Sequence, residues 1–313
     1  MSTPSDLTAS SSDATAGTTP GVSSHQGVIH DLGYRHYDGK RLGRTYIRGA
    51  LFIESAKGSY GLGRPARSKI MPMLILGAMC LPAVIIAVIA GVTQADKLPA
   101  SYTSYIFSVQ LLVMIYVAGQ APASVSRDLR FHVMSLYFSR PLERIDYVVA
   151  KFAAMATALF LLMALPLTIL LAGALLAKLP LSAQLPDYLR SLGGAALGAI
   201  LLAAIGLVIA AMTPRRGLGV AAIIAVLAVQ AGVQTAVQAI AMEENQETFA
   251  GYAGLLSPFS LVDGVQHGLL GAEIVAPVSP PGTTGALVFL GVIVVIVAAC
   301  FGALTLRYRK VTI

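Results

Sequence analysis

Residues 126–151 read Ser-Arg-Asp-Leu-Arg-Phe-His-Val-Met-Ser-Leu-Tyr-Phe-Ser-Arg-Pro-Leu-Glu-Arg-Ile-Asp-Tyr-Val-Val-Ala-Lys, a charged, helix-forming connection set between two long apolar runs. Each of those runs is long enough to cross a bilayer, so this is the longest charged connection between spans. A chain surrounded by lipid receives force only through the parts that reach water. This connection is therefore where a partner could take hold.

The rest of the chain fits that setting. It has 313 residues, of which 56% are hydrophobic and 12% charged, with a mean hydropathy of +0.75. Soluble domains carry about 25% charged residues, so the bilayer is the natural solvent here. A helix needs ~20 apolar residues to cross hydrocarbon. Six runs meet that length: residues 70–92, 102–122, 147–176, 192–212, 218–242 and 284–306. Their continuous Leu- and Ala-rich character predicts helices and not barrel strands. Apart from Lys151, near one end of the third run, these cores lack charge. A charge at mid-bilayer costs about 2.5–3.5 kcal/mol on insertion scales.

Lys and Arg set the expected orientation. Nine lie between Arg35 and Lys69, before the first run. Arg127, Arg130, Arg140, Arg144 and Lys151 lie between the second and third runs, Arg215 and Arg216 between the fourth and fifth, and Arg307, Arg309 and Lys310 after the sixth. Together these are 19 of the 22 basic residues, against Lys97, Lys178 and Arg190 on the other side. The asymmetry predicts that both termini are cytoplasmic. The net charge of +7 is a topology signal; without aromatic–basic interleaving it gives no reason to expect a nucleic-acid partner.

Three stretches are not spans. Residues 1–26 are rich in Ser, Thr, Gly and Ala, which predicts a disordered tail. They lack the basic start and apolar core of a secretory signal. Residues 40–57 read as an interfacial helix: Arg41, Arg44 and Arg48 share one face, and Tyr46, Ala50 and Ile53 lie opposite. A plain basic tether is the competing reading. Gly58, Gly61, Gly63 and Pro65 are expected to end that helix. Between the fifth and sixth runs, residues 243–282 begin acidic and continue apolar but broken by Gly and Pro. That pattern predicts a re-entrant or surface-lying helical pair, which either caps a pathway or is an ordered loop. His267 stands alone there. Cys80 and Cys300 sit inside apolar runs with no neighbouring ligand, so neither a metal site nor a disulfide framework is expected.

Within 127–139, Asp128, His132, Ser135 and Ser139 form a polar stripe on a helix, flanked by two apolar stripes. A helix that is apolar on two sides must bury both, against this chain or against a partner. Arg140-Pro141 then ends it. The sequence 126–130, the run Leu136-Tyr137-Phe138-Ser139-Arg140-Pro141-Leu142, and Tyr147 and Lys151 leading into the next span resemble the corresponding loop of type 2 ABC transporter permeases. The resemblance extends from about Tyr34 to the end of the chain. It implies an all-α membrane fold of six transmembrane helices, with an N-terminal interfacial helix, a cytoplasmic coupling helix and an external re-entrant segment. It divides the chain into the tail 1–26, the cytoplasmic interfacial segment 27–69 and a permease domain 70–313. It places the chain as a multi-pass protein of the plasma (inner) membrane. It further implies an export subunit, with two ATP-binding cassette ATPase subunits and a second permease copy or a homologous permease as partners, amid membrane lipids. Arg127, Asp128, Arg130, Phe131, Met134, Tyr137 and Arg140 are the residues it implies for ATPase coupling.

The residues agree on one point. A P-loop needs Gly-x-x-x-x-Gly-Lys-[Ser/Thr], and neither Gly39-Lys40 nor the glycines of 58–63 supply it. The expectation is therefore that the chain is not itself an enzyme and carries no cofactor, ATP and Mg being bound by the ATPase. Gln230, Gln234 and Gln238 recur at i, i+4 and i+8 on the fifth run. Three amides would go unsatisfied in lipid. They either line a pathway or permease–permease interface, or bond between helices. Apolar walls with a few amides suit an amphipathic or hydrophobic cargo such as a lipid, peptide or drug. A secondary transporter would need an ionisable mid-membrane site or inverted repeats. A membrane enzyme acting on lipids would need a polar cluster, for which His25, His30, Asp31, His36 and Asp38 are the only group.

Overall fold

The computed structural model describes residues 39, 42–93, 97–130, 142–213 and 215–309, without the side chains of Arg127, Leu129 and Arg130. All regular structure among the described residues is helical. In chain order the helices are α1 (Arg44–Ser59), α2 (Arg67–Thr93), α3 (Tyr102–Ser108), α4 (Gln110–Arg130), α5 (Arg144–Leu176) and α6 (Leu181–Met212). They continue as α7 (Arg216–Glu243), α8 (Glu247–Ala253), a 3-10 turn (Gly254–Leu256), α9 (Pro258–Leu270) and α10 (Gly282–Arg309). Helices α2, α5, α6, α7 and α10 are each long and apolar enough to cross a membrane. A sixth crossing exists if α3 and the first part of α4 count as one span, bent by 55°.

Five of the six apolar runs thus form single helices. The second does not: its helix breaks at Val109, with Ser101 capping α3 by accepting from Ser104 N–H at 3.2 Å. The fourth run is extended. Helix α6 begins at Leu181, whereas the apolar run begins at 192; those 11 residues, with Gln184, Asp187 and Arg190 among them, extend the helix by about 16 Å. Hydropathy marks where lipid stops, whereas the backbone ladder continues for as long as the residues tolerate a helix. The first helix ends later than its glycines suggest. Gly58 is helical and buried, and the chain turns only at Tyr60–Gly63. Gly61 has φ +70°, and a Cβ there would lie 2.6 Å from the Ser68 carbonyl oxygen. Only glycine satisfies both conditions.

Packing centres on α5 and α6. Of their most apolar windows, 44% and 61% is buried, against 22% for α2 and 17% for each of α7 and α10. The outer helices turn Leu74, Leu81, Val88, Val229, Val294 and Val295 outward, as lipid-facing helices do. Helix α2 lies close on α5 because Gly173 leaves room; a Cβ there would sit 2.1 Å from that of Ala87. Tyr116, Met155, Leu159, Leu162, Leu167 and Leu207 fill the main core. A smaller cluster of Leu201, Leu261, Val265, Phe289 and Ile293 fixes α9 against α6 and α10.

Residues 42–313 form one compact unit, which includes α1. Residues 1–41 form another, of which only Gly39 is described. The N-terminal tail and the His/Asp group at 25–38 therefore lie outside the described residues.

Candidate functional site

The end of α4 and the start of α5 bracket the charged connection, at the end of the bundle that also holds Arg44 and Arg309. This end is termed the near face. Here Asp128 points inward. Its Oδ2 accepts from the Tyr147 hydroxyl at 2.8 Å and pairs with Lys151 Nζ at 3.0 Å. Lys151 Nζ also donates to the Ser124 carbonyl at 2.9 Å and lies 5.5 Å from the centre of the Tyr147 ring. Its side chain is 10% exposed and that of Asp128 18%. Tyr147 in turn meets Tyr308 of α10 edge-on, with ring centres 5.2 Å apart. Buried charges persist only when paired and hydrogen-bonded. Removing one partner of such a pair costs about 3–5 kcal/mol. One network thus ties α4, α5 and α10 together at the base of the connection.

Helix α1 is clamped to the same place. Arg44 pairs with Glu143 and, at 2.5 Å, with Asp146 Oδ2; Arg48 lies 3.9 Å from the other Asp146 oxygen. Asp146 also accepts from Glu143 N–H at 3.2 Å, closing the first turn of α5 as a capping residue does. The side-chain bonds to Asp146 and then Glu143 hold the Arg44 guanidinium above its ordinary value. Farther along, the Tyr60 hydroxyl, pushed up to about 12 by burial, donates to the Ala158 carbonyl at 2.7 Å. The sequence placed the cations of α1 against anionic headgroups; the structure turns Arg44 and Arg48 onto the acids of α5.

The predicted coupling residues divide. Arg127, Asp128 and Arg130 belong to α4, which runs on to residue 130. Phe131, Met134, Tyr137 and Arg140 lie outside the described residues. The roles of Ser124, Arg44, Asp146 and Tyr308 were not read from sequence. One signal did exist for the core of the network: Tyr147 and Lys151 are four apart, on one helix face, with an opposite charge at 128.

The glutamine row of α7 turns toward its own chain. Gln234 and Gln238 are 7% and 3% exposed. Gln234 Nε2 donates to Gln238 Oε1 at 2.7 Å, and Gln238 Nε2 reaches the carbonyls of Ala250 and Val278 at 3.3 Å each. Gln230 Oε1 is buried without a hydrogen-bond partner. The row therefore tethers the segment between the fifth and sixth long helices. That segment, at the opposite or far face, is a helical pair, α8 and α9. Gln266 Nε2 donates to the Arg190 carbonyl at 3.3 Å, Ala276 N–H donates to Asp263 Oδ2 at 3.0 Å, and His267 Nδ1 lies 3.0 Å from the Ala272 carbonyl.

No group of three His, Cys, Asp or Glu that could hold a metal occurs among the described residues. Cys80 and Cys300 are free and half-buried. No protein-family model matches the chain, and no curated protein matches it.

Proposed function

We propose that the chain is the membrane-spanning permease subunit of an ATP-driven transporter of the type 2 ABC kind, moving an amphipathic or hydrophobic cargo outward. Two separate ATPase subunits would grip the near face, and a second permease would complete the pathway. The observation that carries this reading is the charged connection together with its base. The Asp128–Lys151–Tyr147 network fastens both ends of the connection to three long helices, so a push on it would move them as a unit. The helical pair before the last long helix and the helix before the first support the same reading, as does the lack of a P-loop. The excess of positive residues on the near face supports its lying in the cytoplasm. A proton-driven secondary transporter is less favoured, since the middle of the spans carries no Asp, Glu, His, Lys or Arg among the described residues.

The test is reconstitution with the ATPase that copurifies from the native membrane. Arg130→Ala together with Tyr137→Ala is expected to abolish transport while ATP hydrolysis persists. Uphill movement of solute by the isolated chain in vesicles would overturn the proposal.

A further inference from the structure

The far face holds a cavity of about 540 Å³, within the ~300–1,000 Å³ typical of ligand clefts. The extra turns of α6, the start of α3 and the loops at 97–99 and 272–273 enclose it. Its floor is fixed. Tyr102, Thr103 and Ser191 are buried; the Tyr102 hydroxyl donates to Gln184 Oε1 at 3.0 Å, and the hydroxyls of Thr103 and Ser191 lie 3.1 Å apart. Its rim carries both signs of charge. Lys97 and Glu273 have no ion-pair partner among the described residues, and Asp187 is paired only with the exposed Arg190.

Thr103 also lines a second space, at the depth of the spans. This crevice, about 40 Å³, lies between α3, α6 and α9, and its walls include Phe107, Met163, Leu202 and Phe259. The two spaces thus adjoin: a charged, hydroxyl-lined chamber above and, below it, a slot with mostly apolar walls that Asp263 and Gln266 also line. A sugar or a free amino acid would use only the first, and a hydrocarbon only the second.

We infer that this pair of spaces binds a lipid with a zwitterionic phosphate–amine head, the phosphate toward Lys97, the ammonium toward Glu273, and the start of the tail along Phe107 and Phe259. Asp187 is already matched by Arg190, which leaves, among the described residues of the rim, one unpaired cation, Lys97, and one unpaired carboxylate, Glu273; that pair complements a zwitterionic head, whereas a purely anionic head would meet Glu273 unfavourably. The inference rests on the proposed export role only for its meaning, which is that cargo pauses here before release. Binding itself requires no ATPase.

The test uses the full chain, purified in a maltoside detergent and titrated by native mass spectrometry. Lysophosphatidylethanolamine is expected to bind about tenfold more tightly than lysophosphatidylglycerol of the same tail, a difference of about 1.4 kcal/mol. Lys97→Glu and Glu273→Lys should each weaken it by a similar factor without lowering Tm, since both residues are exposed. Glycerophosphoethanolamine, which lacks a tail, should fail to compete. Equal binding of the two lysolipids, indifference to both charge reversals, or full competition by the tail-less head would each overturn the inference. Because no ATPase is present, these outcomes are independent of whether ATP drives transport.

Discussion

Asp263 shows how one buried group ties chemistry to conformation. Its Oδ2 takes the Ala276 N–H, while Oδ1 is buried without a hydrogen-bond partner. Burial pushes its carboxyl above the usual value, opposed by the backbone N–H groups of Ala276 and Val275 and by His267. The folded value thus lies above the unfolded one, so the native state keeps its proton over the window between them. The docking of α9 should weaken as pH rises from about 4, the ordinary carboxylate value, through that raised value, and then level off. Asp263→Asn keeps an oxygen for Ala276 and removes the titration. Amide exchange of residues 258–270, compared between parent and variant from about pH 4 to about pH 8, should show a protection difference that grows and then plateaus. A constant difference would exclude the carboxyl as its source. Nothing in the sequence marked Asp263, because its importance comes from what the fold places around it.

At the scale of elements, small residues decide which helices touch. A Cβ at Gly194 would fall 1.9 Å from the Gln266 side-chain amide. The absent side chain lets Gln266 reach the Arg190 carbonyl. Gly194→Val should displace Gln266 and cost about 1–3 kcal/mol by overpacking. It should lower Tm and raise exchange in α9, and adding Gln266→Ala should restore part of the loss. Additive effects in that double variant would show that the two residues do not meet. Gly194 and Gly198, four apart, have the small-residue spacing that lets helices approach closely, but the sequence does not show which helix approaches, since α9 lies more than sixty positions away. The long helices were legible for a simpler reason: hydrocarbon imposes a length on apolar runs that water does not. The elbow at Val109 and the outer turns of α6 lay beyond that signal, because neither changes the hydropathy of the run.

For the whole molecule, the uneven distribution of Lys and Arg makes a directional claim. The near face should lie in the cytoplasm. With Cys80 and Cys300 replaced by Ser, a cysteine placed by Ala183→Cys on the far face should react with an impermeant maleimide in intact cells. One placed by Glu54→Cys on α1 should react only after permeabilisation; both positions are exposed. The reverse pattern would invert the molecule and put the charged connection out of reach of any cytosolic ATPase. The long apolar helices were legible at this scale because span length acts along the chain. The links from Asp128 and Arg44 to α5 and from Tyr147 to Tyr308 were not, because they join elements brought together only by folding.

The clamp between α1 and α5 has a further bearing on where the molecule can work. Arg44 and Arg48 already have carboxylate neighbours within the chain, so their hold does not depend on acidic phospholipid in the surrounding leaflet. Moving the protein to a neutral bilayer should therefore leave this helix seated, where an amphipathic anchor of the same composition would lose its electrostatic hold.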